Sequence, residues 1–134
     1  MRHWIAPLAI LACVVSTAQA QLPDTVSKAF ESYISSAEEL APVLKSVQDA
    51  KSADAAVEPM RKAMLSVYNA HNGLKNIPNL TAEQTHVVRE QYEQRMRQQW
   101  GLVYEQIFRL NKTSCYDSPT FSKLFHIMCM MLDQ

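Results

Sequence analysis

Only two glycines, Gly73 and Gly101, occur in the 134 residues, and each stands alone. That scarcity excludes glycine-rich phosphate loops, the Gly-x-Ser-x-Gly elbow of serine hydrolases and tight two-residue hairpins. Cys-x-x-Cys and His-Glu-x-x-His are absent as well. Runs of alternating β-branched and aromatic residues are missing, so sheet structure is not expected. An excess of one charge is lacking too, with 13 basic and 13 acidic residues. A nucleic-acid footprint needs a concentrated basic surplus, so nucleic acid is not an expected partner. The longest apolar run, Ile5 to Val15, is too short for a transmembrane span of roughly 20 residues.

That run has another use. Arg2 and His3 precede it and Ala18-Gln19-Ala20 follows it, the order of a signal peptide with a small-x-small cleavage site. Residues 1–20 therefore read as a signal peptide and 21–134 as one exported domain of 114 residues, secreted or periplasmic. A second reading uses Cys13, after Ile10-Leu11-Ala12, as a lipoprotein anchor, although Leu11 is bulky for that box. Removing Arg2 leaves 12 basic against 13 acidic residues, a net charge of −1. The distribution is uneven. Residues 21–60 carry three basic and seven acidic groups, and residues 61–112 carry eight and four. Either helices of opposite sign lie side by side or the later segment offers a basic face to an anionic partner.

What is present is helical period. Leu80 to Lys112 runs without a proline, opened by Thr81 and Gln84 in capping-box spacing. Val88, Tyr92, Met96, Val103, Ile107 and Leu110 form one stripe, with Trp100 beside it. This helix, about 48 Å long at ~1.5 Å per residue, is the expected axis of the fold and needs antiparallel partners. Gly101 within it predicts a close approach by a neighbouring helix.

Before it, Asp24 is the expected N-cap of a helix over 24–48. Val26, Phe30, Tyr33, Ala37, Leu40, Leu44 and Val47 follow it at alternating steps of four and three, a coiled-coil-like seam. Pro42 predicts a bend in that helix. Asp49 to Asp54 reads as a turn. Ser52 or Asp54 then caps a second helix over 53–76 with the stripe Val57, Met60, Met64, Val67, His71 and Leu74. Pro59 limits its start, Asn72-Gly73 marks fraying, and Pro78 sets the next turn. The long helix follows over 81–111. Asn111 to Ser118 reads as a loop. Ser118-Pro119 then starts a short helix over 118–132, with Phe121, Leu124, Phe125, Met128 and Leu132 facing inward. The whole is an all-α, elongated up-down antiparallel three-helix bundle with a short fourth C-terminal helix.

No catalytic constellation is expected. Ser27, Ser32, Ser35 and Ser36 have no base placed near them by spacing. Three residues are metal-ligand candidates. His71 is the one ionisable member of a core stripe, read either as a hydrogen-bonded core histidine or as a ligand or pH-sensing group. His126 and Met130, four apart in a tail rich in soft donors, suit Cu(I), against methionine as flexible core filler. Glu83 and His86 have the spacing of a carboxylate-bridged di-metal site, but no second Glu-x-x-His accompanies them. No cofactor is expected.

Cys115 and Cys129 are the cysteines after the signal, and export permits a disulfide. Residues 118–129 as helix rise about 16 Å while 115–118 reach back about 10 Å. Bridged cysteines need Cα atoms within about 7 Å, so the bond requires an almost fully extended linker. Asn79-Leu80-Thr81 and Asn111-Lys112-Thr113 are glycosylation sequons in a eukaryotic host.

Two resemblances attach to these residues. Leu80-Thr81-Ala82-Glu83-Gln84 resembles the LTxxQ motif of periplasmic helical stress chaperones related to Spy. Those usually carry two copies, form cradle-shaped dimers and bind unfolded clients; here there is one copy. Val47-x-Asp49-x-x-Ser52-Ala53-Asp54-x-Ala56 with Pro59, a polar turn and a long charged helix is similar to small exported helical proteins common in Verrucomicrobia and Planctomycetes. That resemblance covers most of residues 30–112 and implies compartment and fold, with no site residues. The expected function is a non-enzymatic interaction or envelope-structural role. A chaperone-like client binder comes second and a metal carrier third.

Overall fold

The computed structural model describes residues 20–134. The signal-peptide reading of 1–20 and the anchor reading of Cys13 fall, but for Ala20, outside the described residues. The rest is an all-α bundle with no strand among the described residues. None of its helices is long and apolar enough to cross a membrane.

α1 runs Asp24–Ser46. Asp24 is its first helical residue rather than its cap. Pro23 takes the cap position, and its carbonyl accepts from Val26 and Ser27. Pro42 lies inside α1 without ending it. Proline removes the partner of the Glu38 carbonyl, and both residues are on the exposed side, where water replaces the missing donor. The buried face is wider than one seam: Ala29, Ile34, Ser36 and Ala41 are buried beside the seven-residue repeat. Two partners account for that width. α3 (Val57–Lys75) and α5 (Gln94–Lys112) each pack along α1, while contacts between α3 and α5 are sparse. The axis of the bundle is thus α1, not the long helix that the sequence put at the centre.

The turn after α1 is shorter than expected. Asp49 and Ser52 form a capping box that starts α2 (Ala50–Ala55), so the expected caps Ser52 and Asp54 lie inside a helix. Ala56 separates α2 from α3. Pro59 explains the break, since its ring crowds the carbonyl four residues back, that of Ala55, the last residue of α2. α3 continues through Asn72-Gly73 to Lys75 without ending at that pair.

The Thr81–Gln84 capping box is present in both directions, with Gln84 N–H to Thr81 Oγ1 at 3.1 Å and Thr81 N–H to Gln84 Oε1 at 3.0 Å. It opens α4 (Ala82–Val88), which passes through a π turn at Arg89–Glu93 into α5. The sequence accounts for the π turn. Val88, Tyr92, Met96 and Trp100 are spaced four, four and four, and each such step drifts the stripe by about 40° on an α-helix. A wider turn takes up that drift and keeps Val88, Tyr92 and Trp100 buried. Gly101 is exposed, and a Cβ there would meet nothing within 4 Å, so the expected close helix approach is absent.

At the far end the expected loop is a left-handed turn. Ser114, Cys115, Tyr116 and Asp117 have φ of 50°, 52°, 53° and 59°. No glycine relieves them, and the left-handed conformation costs roughly 1–2 kcal/mol per residue. Surrounding contacts hold the turn: Cys115 is buried and the Tyr116 hydroxyl accepts from Arg109 Nη1 at 3.1 Å. Ser118 then caps α6 (Pro119–Leu132) and donates to Asp54 Oδ1 at 2.6 Å, tying α6 to α2. Phe121, Phe125 and Met128 drive α6 into the core built by Leu40, Leu44, Met60, Val67, Val103 and Leu110. A smaller cluster of Val26, Ile34, Val88 and Tyr92 seals the other end, where Phe30 stacks on Tyr92 at 5.3 Å.

Arg109 completes the architecture. Its guanidinium donates to the carbonyls of Leu44 at 2.9 Å and Val47 at 2.8 Å, the end of α1, while Nε donates to Gln106 Oε1. A cation from one helix thereby caps the negative end of another.

Candidate functional face

α3 and α5 each carry exposed aromatic side chains. Open grooves flank α1 on its outer side: one of about 570 Å³ reaches Ser66, Asn69 and Gly73 of α3, and one of about 530 Å³ reaches Gln99, Leu102 and Gln106 of α5. Tyr68 lies two residues after Ser66 and Tyr104 two after Leu102, each about 200° round its helix. Both tyrosines therefore point away from those grooves, on the side of α3 and α5 on which α6 packs its Phe121, Phe125 and Met128 into the core. Tyr68 is 53% exposed, Tyr104 53%, and Phe108, four residues further along α5, 63%. Leu65 is exposed one turn before Tyr68.

Below these side chains lies a stack. The Tyr33 ring of α1 faces Trp100 at 4.7 Å and 29°, and Trp100 meets Tyr104 at 6.4 Å and 47°. Burial, with Tyr104 alongside, pushes the Tyr33 hydroxyl above its ordinary pKa. Trp100 is 6% exposed, and its Nε1–H has no hydrogen-bond partner. His71 Nε2, on α3 one turn beyond Val67, is also buried and unpartnered. The sequence placed His71 in the core stripe. In the structure it is half-buried near the edge of that stripe. Indole N–H groups and buried imidazoles normally carry a partner, so these two enclosed nitrogens are exceptions within the core.

The other candidates lie apart from these side chains. His126 and Met130 share an exposed edge of α6, beside which Met128 is fully buried in the core. His71 is on a different helix and does not join them. Among the described residues no group of three or more His, Cys, Asp or Glu side chains could hold a metal ion. Glu83 and His86 do not converge; His86 pairs with Glu90 at 3.1 Å on the surface. Ser32, Ser35 and Ser36 line the outer α1–α3 groove, and the Ser36 hydroxyl is committed to the Tyr33 carbonyl at 2.8 Å. Cys115 and Cys129 are both free thiols. Burial raises both; Cys129 raises Cys115 further, Ser122 opposes that through a hydrogen bond, and Asp133 raises Cys129. Ser122 and Cys129 are two helical turns apart on one face of α6, about 10 Å of rise, which keeps the thiols from bonding distance in this arrangement.

The charge asymmetry resolves in part. One ion pair joins the acidic α1 to the basic segment, Glu31 with Arg95 at 2.8 Å and 3.1 Å. Arg61 and Arg97 pair within their own helices, with Glu58 and Glu93. Opposite-sign helices side by side therefore account for one of the eight basic residues. Sequence reasoning missed Arg109 as a cap and missed the exposed aromatics as a group. Tyr68 and Tyr104 fall one position outside the apolar stripes, at Val67 and Val103, and that adjacency was the available signal. Comparison of the chain with family models, with curated proteins and with solved structures finds no match.

Proposed function

We propose that this chain is an exported, non-enzymatic interaction protein whose exposed aromatic side chains on α3 and α5 bind an apolar surface of a partner protein. The observation that carries the reading is the contrast between a sealed core and those side chains. Leu65, Tyr68, Tyr104 and Phe108 are at least half exposed while every core residue of the same helices is covered. Exposed aromatics are enriched at interfaces, where tyrosine supplies contact area at low entropic cost. Export and an envelope or secreted setting rest on the order of residues 1–20 and on the resemblance to small exported helical proteins.

The test is binding by variants that leave the core untouched. Tyr68→Ala and Tyr104→Ala should keep the helical circular dichroism of the parent and lose capture of partner by crosslinking in the native secretome. Capture unchanged by both substitutions would remove the reading.

A chaperone-like role uses the same side chains and is the second reading, favoured by the extent of exposed apolar surface. The LTxxQ-like stretch does not favour it further, because Thr81 and Gln84 are fully occupied in capping α4. Stoichiometric suppression of aggregation of an unfolded client separates the two. A metal carrier role has only His126 and Met130 behind it.

A further inference from the structure

We propose that the outer groove between α1 and α3 is a self-association surface, on which a second copy of this chain docks its own α1 antiparallel about a two-fold axis. The proposal goes beyond the interaction reading above and uses none of its aromatic residues. Besides its core seam, α1 carries an outer stripe at the same alternating steps of three and four: Thr25, Lys28, Ser32, Ser35 and Glu39, all exposed. These residues line the open groove of about 570 Å³. Its other wall is low, built by Ser66, Ala70 and Gly73 of α3, and a Cβ on Gly73 would meet nothing within 4 Å. Small side chains on both walls let another helix approach closely.

Charge identifies the occupant. The stripe holds one cation and one anion, Lys28 and Glu39, with hydroxyls between them, and neither makes an ion pair among the described residues. Eleven residues are three turns to within about 20°, so the two charges stand in line at opposite ends of the groove. Turned end for end, the stripe complements itself. An antiparallel register with Ser32 of one copy opposite Ser35 of the other sets Lys28 opposite Glu39, twice in each dimer. A parallel pairing would oppose Lys28 to Lys28 and Glu39 to Glu39. Self-complementarity under a two-fold axis is what an isologous interface requires. Tyr68 and Tyr104 point away from the groove, so the dimer presents two aromatic sets outward and can engage a partner bivalently.

Sedimentation of the full chain across a concentration series tests this. An interface of this small size should give a monomer–dimer equilibrium with a Kd of about 1–100 μM. Lys28→Glu and Glu39→Lys, both at exposed positions, should each weaken the dimer about tenfold or more with helicity unchanged. The double variant Lys28→Glu with Glu39→Lys exchanges the two charges and should restore the parent Kd to within about threefold. A parent that stays monomeric at about 500 μM, well above the expected range, would overturn the proposal. So would a dimer indifferent to the single reversals, or one that the double exchange fails to restore. A dimer lost in Tyr104→Ala would move self-association to the aromatic side chains and overturn it as well. Loss of partner capture in Tyr68→Ala leaves this equilibrium unchanged, so the two readings fail separately.

Discussion

Arg109→Met should be the most damaging substitution of any charged residue in the chain. The guanidinium fork meets the carbonyls of Leu44 and Val47 at 2.9 Å and 2.8 Å, and the Tyr116 hydroxyl at 3.1 Å. Each hydrogen bond to a charged group is worth about 1.5–3 kcal/mol net. The cap is only part-buried, and water can reach some of these acceptors after truncation, so the sum is discounted to about 2–3 kcal/mol. The favourable placement of a cation at the end of α1 is included in that figure. A domain of this size then loses roughly 10 °C in Tm. Arg109→Lys keeps the charge and loses the fork, so it should recover less than half of the loss. Arg97→Met is the control, because its ion pair with Glu93 is exposed and of the i,i+4 type, worth under about 0.5 kcal/mol. Urea unfolding followed at 222 nm, with equal m-values, gives the three free energies. If Arg109→Met costs no more than Arg97→Met, the cap contributes nothing and the reasoning fails.

Other expectations follow from the same contacts. Ser114→Gly should stabilise the protein by about 1 kcal/mol, because glycine adopts the left-handed backbone without the Cβ clash; urea unfolding that shows a loss would contradict the strain at φ 50°. Thr81→Ala should cost about 1 kcal/mol by removing one half of the α4 capping box, measured in the same way. Stability should fall on the alkaline side. The Cys115, Cys129 and Tyr33 groups all have folded pKa values raised by burial, so folding favours their protonated forms, and that preference is lost as pH rises past their unfolded values of about 8.5 and 10. Tyr33→Phe should flatten the upper part of that decline in a pH series of thermal melts, and an unchanged slope would count against it.

Much of the fold was legible. The seven-residue seam of α1, the Thr81–Gln84 cap, the Ser118-Pro119 start of α6 and the inward Phe121, Phe125 and Met128 are all short-range patterns, fixed by helical period and by a cap reaching its own first turn. Less legible was which helix the others surround. A stripe states that one side is buried, not by how many partners, and only the extra burial of Ile34, Ser36 and Ala41 reveals α1 as the hub. Arg109 was illegible because its acceptors lie more than sixty residues away in the chain. The left-handed turn at Ser114 to Asp117 was illegible because its residues carry none of the glycine that usually announces one. Gly101 misled for the complementary reason, since an exposed glycine has no packing consequence. The aromatic residues were half visible, as Trp100 beside the stripe, but Tyr68 and Tyr104 read as ordinary surface.

Nuclear Overhauser contacts of the Trp100 indole in the free protein test the central claim most directly. An α1-centred bundle predicts strong contacts from Trp100 to the Tyr33 and Tyr104 rings, an Nε1 proton shielded from solvent, and no continuous ridge of contacts joining α3 to α5. A continuous α3–α5 ridge, with Tyr68 and Tyr104 interdigitated across it, would contradict the account.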